Sequence, residues 1–338
     1  MTYSQQSESV PTSVDHWHAQ ASSSDISRFS TQLKDWEQEY DQVEAGEFSG
    51  TLKDIALNDV RLFREQMSVA VAQYVHMPEG LVNVLVPVKV SPQVGQDHSR
   101  ALVADAITLL PQNQDMYFIG SGQTDYAVIS VEEDGLLNQL CAADQSSMLD
   151  ARRNYSLMVS PDYLGLLRQR LPLLLDQQLD LASRLSAEQM REHDKALQSE
   201  LMDIVVQLYT GYDGFGHEID YRPLSRQHQN LVRRSHEFAL SEEGSEASIL
   251  DVCKALNIPR RTLNYAFQRA TGMSAVRYLR SVKLNNARRD ILKDQDGIGD
   301  IAARYGFYHG GYFGQEYRKL FGETPTATRE SGILVGLS

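Results

Sequence analysis

The order of apolar and polar residues changes character along the chain. Between about residues 46 and 160, short runs rich in Val, Ile, Leu, Tyr and Phe are broken by Gly, Pro, Asn or Asp every ten to fifteen residues. The runs lie at 50–57, 67–76, 81–90, 101–110, 116–119 and 126–131. Several alternate, and their spacing predicts an all-β sandwich or barrel. Upstream, Leu33, Trp36 and Tyr40 fall at helical intervals and predict a short helix over 31–40. From Pro161 the period becomes helical. Tyr163, Leu166 and Leu167 lead into Pro172, where a new helix is expected to begin with proline in its first turn. Leu197, Leu201, Ile204, Val205 and Leu208 mark a second amphipathic helix over 186–209. A turn-rich stretch at 211–224 then predicts a domain boundary.

Beyond that boundary the pattern repeats itself. At an offset of 49, Ile249 aligns with Ile298, Asp251 with Asp300, Val252 with Ile301 and Ile258 with Phe307. At an offset of 50, Leu263 aligns with Phe313, Phe267 with Tyr317, Arg269 with Lys319 and Gly272 with Gly322. One extra residue in the second turn accounts for the slip. Each copy reads as a short apolar helix, a tight turn, a polar-faced helix with aromatic anchors and a glycine stop. That is the plan of a helix-turn-helix, whose second helix enters a major groove. Ser274 is a plausible N-cap for the stretch between the copies, where Val276, Leu279, Val282 or Lys283, and Ala287 trace one face. Eighteen helical residues span ~27 Å at ~1.5 Å each. Successive turns of one DNA groove lie ~34–36 Å apart, so such a rod can hold two reading helices to one face of a duplex.

Charge sharpens this reading. The chain of 338 residues carries a net −13. Residues 245–338 hold 14 Lys+Arg against 9 Asp+Glu, a net of +5, which leaves −18 for residues 1–244. A basic module on an acidic chain concentrates the field that attracts phosphate. Residues 1–25 read as a flexible polar arm, not a secretory signal. Two cysteines cannot staple a secreted scaffold, no apolar run approaches the ~20 residues of a membrane span, and a cytoplasmic setting is expected.

The doubled motif also resembles the AraC/XylS family of transcription regulators. The resemblance covers about 95 residues: both helix-turn-helix copies, the intervening Lys283, Leu284, Asn285, Ala287 and Arg288, and a closing pattern from Gly306 and Phe307 through Phe313, Tyr317 and Phe321 to Pro325. Within that family it looks like the ethanolamine-utilisation regulators, through Asp251-Val252-Cys253, Arg260 to Leu263, Arg280 to Arg289 and Gly306 to His309. That likeness extends upstream in residues 36–42, 46–50, Asp59 and 63–65. It implies an α+β chain: a cupin-like β domain at 26–160, a helical linker or dimerisation region at 161–224, and an all-α double helix-turn-helix domain at 225–330. It further implies an effector-controlled activator that binds double-stranded DNA, engages RNA polymerase and forms a homodimer. No cofactor is required on this reading. The effector expected from the resemblance is ethanolamine or a cobalamin.

In the first reading helix, Arg260, Arg261, Asn264, Tyr265 and Gln268 occupy the outward face, while Leu263 and Phe267 face the core. Arg pairs bidentately with guanine and Asn with adenine, so this helix carries a base-reading set. By family position Arg261, Asn264 and Tyr265 are the base readers, and Arg260 suits base or phosphate. The second helix has Gly310, Gly311 and Gly314 on its groove side. That leaves His309, Tyr312 and Gln315 as readers, with Arg318 and Lys319 as phosphate contacts. Discrimination is therefore expected mainly in the first motif. His16-Trp17-His18, the isolated His76 and His98, and Cys141 and Cys253, which have no C-x-x-C spacing, lack the company a metal site needs. The carboxylates between Asp35 and Glu65 read as a solvated acidic surface. Two alternatives stand beside the regulator: an effector-independent DNA-binding protein whose N-domain only dimerises, and a cupin-type enzyme fused to a DNA-binding tail.

Overall fold

The computed structural model describes residues 17–90, 104–110, 112–120, 122–142, 145, 155–223, 227–293 and 296–335. Residues 1–16 of the expected arm, and His98, lie outside them. The large sheet is antiparallel, in the order β1 (Trp17–Ser23), β3 (Gly50–Leu57), β4 (Val60–Met67), β9 (Thr124–Glu132), β6 (Leu81–Val90), β7 (Ile107–Leu110), β10 (Tyr155–Met158) and β11 (Asp220–Pro223). A smaller sheet orders β2 (Glu37–Gln42), β5 (Val71–His76) and β8 (Asp115–Ile119).

Strand alternation decides what each face meets. On β9, Tyr126 and Val128 join Phe63, Leu85 and Leu110 in a core with Val71, Val75, Met116 and Phe118 of the small sheet. The intervening Ala127, Ile129 and Val131 face the other way. They pack with Leu62, Val84, Leu109 and Leu136 of the short α2 (Glu133–Leu137) under the helical hairpin α3 (Pro161–Arg184) and α4 (Ala187–Tyr209). On the small sheet's far side, Ala72 and Tyr117 join the core of the C-terminal helices. The molecule is thus layered as hairpin, large sheet, small sheet and C-terminal helices.

Several expectations change here. The segment 31–40 is not a helix: α1 covers only Ile26–Phe29, and Glu37–Gln42 is a strand paired with β5. Trp17–Ser23, expected in the arm, pairs with β3, and the indole Nε1 of Trp17 donates to Asp54 at 2.8 Å. Pro172 starts no new helix but lies inside α3. The hairpin stands as an outer layer of the β domain, not as a link between domains, with Leu167, Leu171, Leu175, Leu201 and Leu208 buried against the large sheet. Within the expected boundary at 211–224, β11 is stitched onto β10.

The acidic stretch is not wholly a solvated surface. Asp41, Asp54 and Glu65 are each 2% exposed. Arg61 grips Asp54 with two nitrogens at 2.8 and 2.7 Å. Glu65 accepts hydrogen bonds from the hydroxyls of Tyr40 and Tyr126. Buried charges persist where they are paired and hydrogen-bonded, as Asp54 is by Arg61 and Asp41 by Arg289, while the Glu65 carboxyl is met by the two hydroxyls.

Candidate nucleic-acid interface

The C-terminal helices are α5 (Gln227–Leu240), α6 (Ile249–Ala255), α7 (Arg260–Thr271), α8 (Ala275–Lys293), α9 (Ile298–Arg304), α10 (Gly310–Phe321) and α11 (Pro325–Val335). The internal repeat becomes two helix pairs of equal lengths, 7 and 12 residues. Four residues join α6 to α7 and five join α9 to α10, which is the one-residue slip in the repeat. Asn257 and Gly306, at equivalent places in the two turns, both have left-handed backbone, with φ of 52° and 78°. Each reading helix ends on a glycine in that region, Gly272 at 72° and Gly322 at 77°. Glycine tolerates this conformation without steric cost.

Local chemistry fixes the ends further. Ser248 caps α6 in a reciprocal capping box with Asp251. The bonds from the Ser248 side chain and amide hold the Asp251 carboxyl below its ordinary range. The aligned anchors are buried: Val252 and Ile301 at 2% and 0%, Leu263 and Phe313 at 0% and 2%, Phe267 and Tyr317 both at 0%. Cys253 is buried in the first of these cores.

With the anchors inward, the opposite stripe of α7 must face solvent. Arg260, Arg261, Tyr265 and Gln268 are exposed and Asn264 is half-buried. All five line one open hollow of about 650 Å³, together with Thr262, Ser274 and Val276, which sequence reasoning had not placed there. The five are not equally free. The Tyr265 ring stands edge-on to His228 of α5 at 5.4 Å, and Gln268 Nε2 donates to the Gly272 carbonyl at 3.2 Å. Arg260, Arg261 and Asn264 have no side-chain hydrogen-bond or ion-pair partner among the described residues.

On α10, His309 occupies the N-cap position, and Tyr312, Gln315, Arg318 and Lys319 are exposed. Arg280 of α8 lies 5.7 Å over the Tyr312 ring and pairs with Glu316 at 2.9 Å. Tyr308, which sequence reasoning did not select, is 67% exposed and donates to Glu246.

Helix α8 joins the two pairs. Its 19 residues rise ~28 Å at ~1.5 Å each. Val276, expected on its inward face, is 37% exposed and borders the reading hollow instead. The inward stripe also includes polar groups that meet the β domain. Asn285 accepts from the Gln42 amide at 3.0 Å and donates to the Gln42 carbonyl at 2.8 Å. Arg288 bridges Asp25, at 2.6 Å, and Glu323. Arg289 pairs with Asp41 and, at 3.0 Å, with Glu39. The Gln42 side chain donates to the Leu320 carbonyl at 2.7 Å, which ties the β domain to the end of α10.

Two exposed polar-faced helices of equal length, each carried on a short buried partner and joined by a rod, define a bipartite helix-turn-helix domain. Residues 252–331 match the family described as Helix-turn-helix domain. It is similar to the HTH-type transcriptional activator RhaS of Pectobacterium carotovorum, 35% identical over 93 residues, covering 28% of this chain and 32% of the relative. The HTH-type transcriptional activator RhaR of the same species is 37% identical over 78 residues, covering 23% and 28%. A solved transcriptional regulator from Chromobacterium violaceum, described as containing an AraC-type DNA-binding domain, is 25% identical and covers 32% of this chain and 96% of that one, with a TM-score of 0.29. The matched segment spans under a third of the length of these curated relatives.

Proposed function

We propose that the protein is a sequence-specific transcription regulator, an activator, whose AraC-type domain reads two successive major grooves of double-stranded DNA. One observation carries the reading: α7 and α10 are matched, glycine-terminated helices whose outward stripes are polar, and α8 fixes them as a pair. Arg261 and Asn264 supply direct base readout, Arg260 reads base or phosphate, and Arg318 and Lys319 hold phosphate. With glycines at three groove-side positions of α10, the first helix carries most of the discrimination.

The N-terminal half is a cupin-like regulatory domain on this reading. It is joined to α8 and α10 through Gln42, Asp25 and Asp41, so a change in that domain has a mechanical route to the reading helices. An effector shifts the DNA-competent population by no more than its differential affinity for the two states. Ethanolamine and cobalamins are the first compounds to test. A homodimer acting with RNA polymerase in the cytoplasm completes the proposal; no described helix is long and apolar enough to cross a membrane.

Selection of bound duplexes from a randomised library, followed by footprinting of the winner, tests the DNA claim. The expected product is a protected site over two adjacent major grooves, with sharper preference in one half. Enrichment of no sequence would overturn it.

A further inference from the structure

Two major-groove segments on one face of a duplex, one turn apart, enclose a minor groove between them. Its two phosphate backbones then face whatever joins the reading helices. Here that element is the beginning of α8. Ser274 and Val276 line the first reading hollow and also a second cleft of about 260 Å³. That cleft runs on to Arg277, Arg280 and Lys319. The reading face of α7 is therefore continuous, through α8, with the last turn of α10.

The cations along this strip differ in availability. Arg280 is neutralised by Glu316 and lies against Tyr312. Arg277 and Lys319 are exposed, and neither has an ion-pair partner among the described residues. Val43 and Ala45 of the β domain form another wall of the cleft, which confines the approach to this side.

We infer that the cleft between the two helix-turn-helix units is a binding site for a backbone phosphate of the duplex, held chiefly by Arg277, at the edge of the minor groove between the two half-sites. The inference rests on the DNA-binding reading above. Arg277 makes no base contact there; it sets the register of the duplex between the two reading helices.

The test uses the full chain and the site won in the library selection. Single methylphosphonate substitutions, which remove the charge of one phosphate, are walked along both strands between the half-sites. With wild-type protein, one or two central positions should weaken binding several-fold. Arg277→Gln should weaken binding to ordinary DNA, lower the slope of log K against log[salt] by ~0.9, and make the protein indifferent to those central substitutions. Arg277→Lys, which keeps a point charge, should restore most of the slope. If wild-type binds its site but no central methylphosphonate matters, or if Arg277→Gln leaves the slope unchanged, the phosphate site is wrong while the DNA-binding reading stands. Absence of any selected site would overturn both.

Discussion

Glu65→Gln probes the buried network between the two sheets. The Glu65 carboxyl is 2% exposed and accepts hydrogen bonds from Tyr40, at 2.9 and 3.0 Å, and from Tyr126. Burial pushes it up from an ordinary 4.5 to about 7; the two tyrosine hydroxyls pull the other way, Asp54 adds to the rise and Arg61 opposes it. The native state therefore binds this proton more tightly than the unfolded chain does. Stability from this group is full below about 4.5 and falls as pH rises to about 7, beyond which it is flat. At ~1.4 kcal/mol per tenfold change in proton affinity, the whole fall is on the order of 3 kcal/mol. Glutamine keeps an acceptor and donors for the tyrosines and cannot ionise. The variant should match wild-type near pH 5 and exceed it by about 3 kcal/mol near pH 8. Urea unfolding followed by tryptophan fluorescence reads this directly, because the two tryptophans, Trp17 and Trp36, both lie in the β domain. Taking the difference between the proteins at each pH removes every titrating group they share. A difference that stays constant from pH 5 to pH 8 would refute the reasoning.

Three further outcomes bear on the reading helices. Arg261→Ala should cost ~1–3 kcal/mol of binding and relax preference at one base pair, measured by competition among single-base variants of the site. Lys319→Ala should weaken all sequences alike and reduce the salt slope by ~0.9; a base-selective loss would move Lys319 among the readers. Gly272→Ala places a side chain at a φ of 72° with nothing within 4 Å of the added carbon, so strain alone acts. It should destabilise the C-terminal domain by ~1–2 kcal/mol in thermal unfolding, and no loss would mean the turn relaxes freely.

The doubled motif was legible because each signal in it is local and occurs twice. Apolar period, turn length and glycine stop repeat at offsets of 49 and 50, and the anchors they predicted are buried. Strands at 50–57 and 81–90 were legible because their ends are punctuated by glycine, proline or asparagine. The edges were not. Leu33, Trp36 and Tyr40 mimic a helical face, yet Glu37–Gln42 pairs with β5 along its length. Its inward side chains carry polar groups that find partners far away in sequence, the Leu320 carbonyl for Gln42 and Glu65 for Tyr40. A hydrophobic-pattern reading has no term for such satisfaction at a distance. The same blindness made the buried carboxylates look like surface.

Those distant partners alter what the net charge of the C-terminal domain means. Its excess of basic residues is not all offered to DNA. Arg288 and Arg289 are spent on Asp25, Asp41, Glu39 and Glu323, and Arg280 on Glu316. On the proposed reading, Arg260, Arg261, Arg277, Arg318 and Lys319, exposed on the reading helices and at the start of the rod, present the field to a duplex. The strongly acidic residues 1–244 are thereby coupled to the basic C-terminal domain by ion pairs placed on the rod itself. Breaking one partner of a buried pair leaves the other charge unpaired, which is costly, so the seam favours staying whole or opening as a unit. On the proposed reading, a change in the β domain reaches the reading pair through Gln42 and Asn285, where the rod is buried, and not through the exposed stripes of α7 and α10.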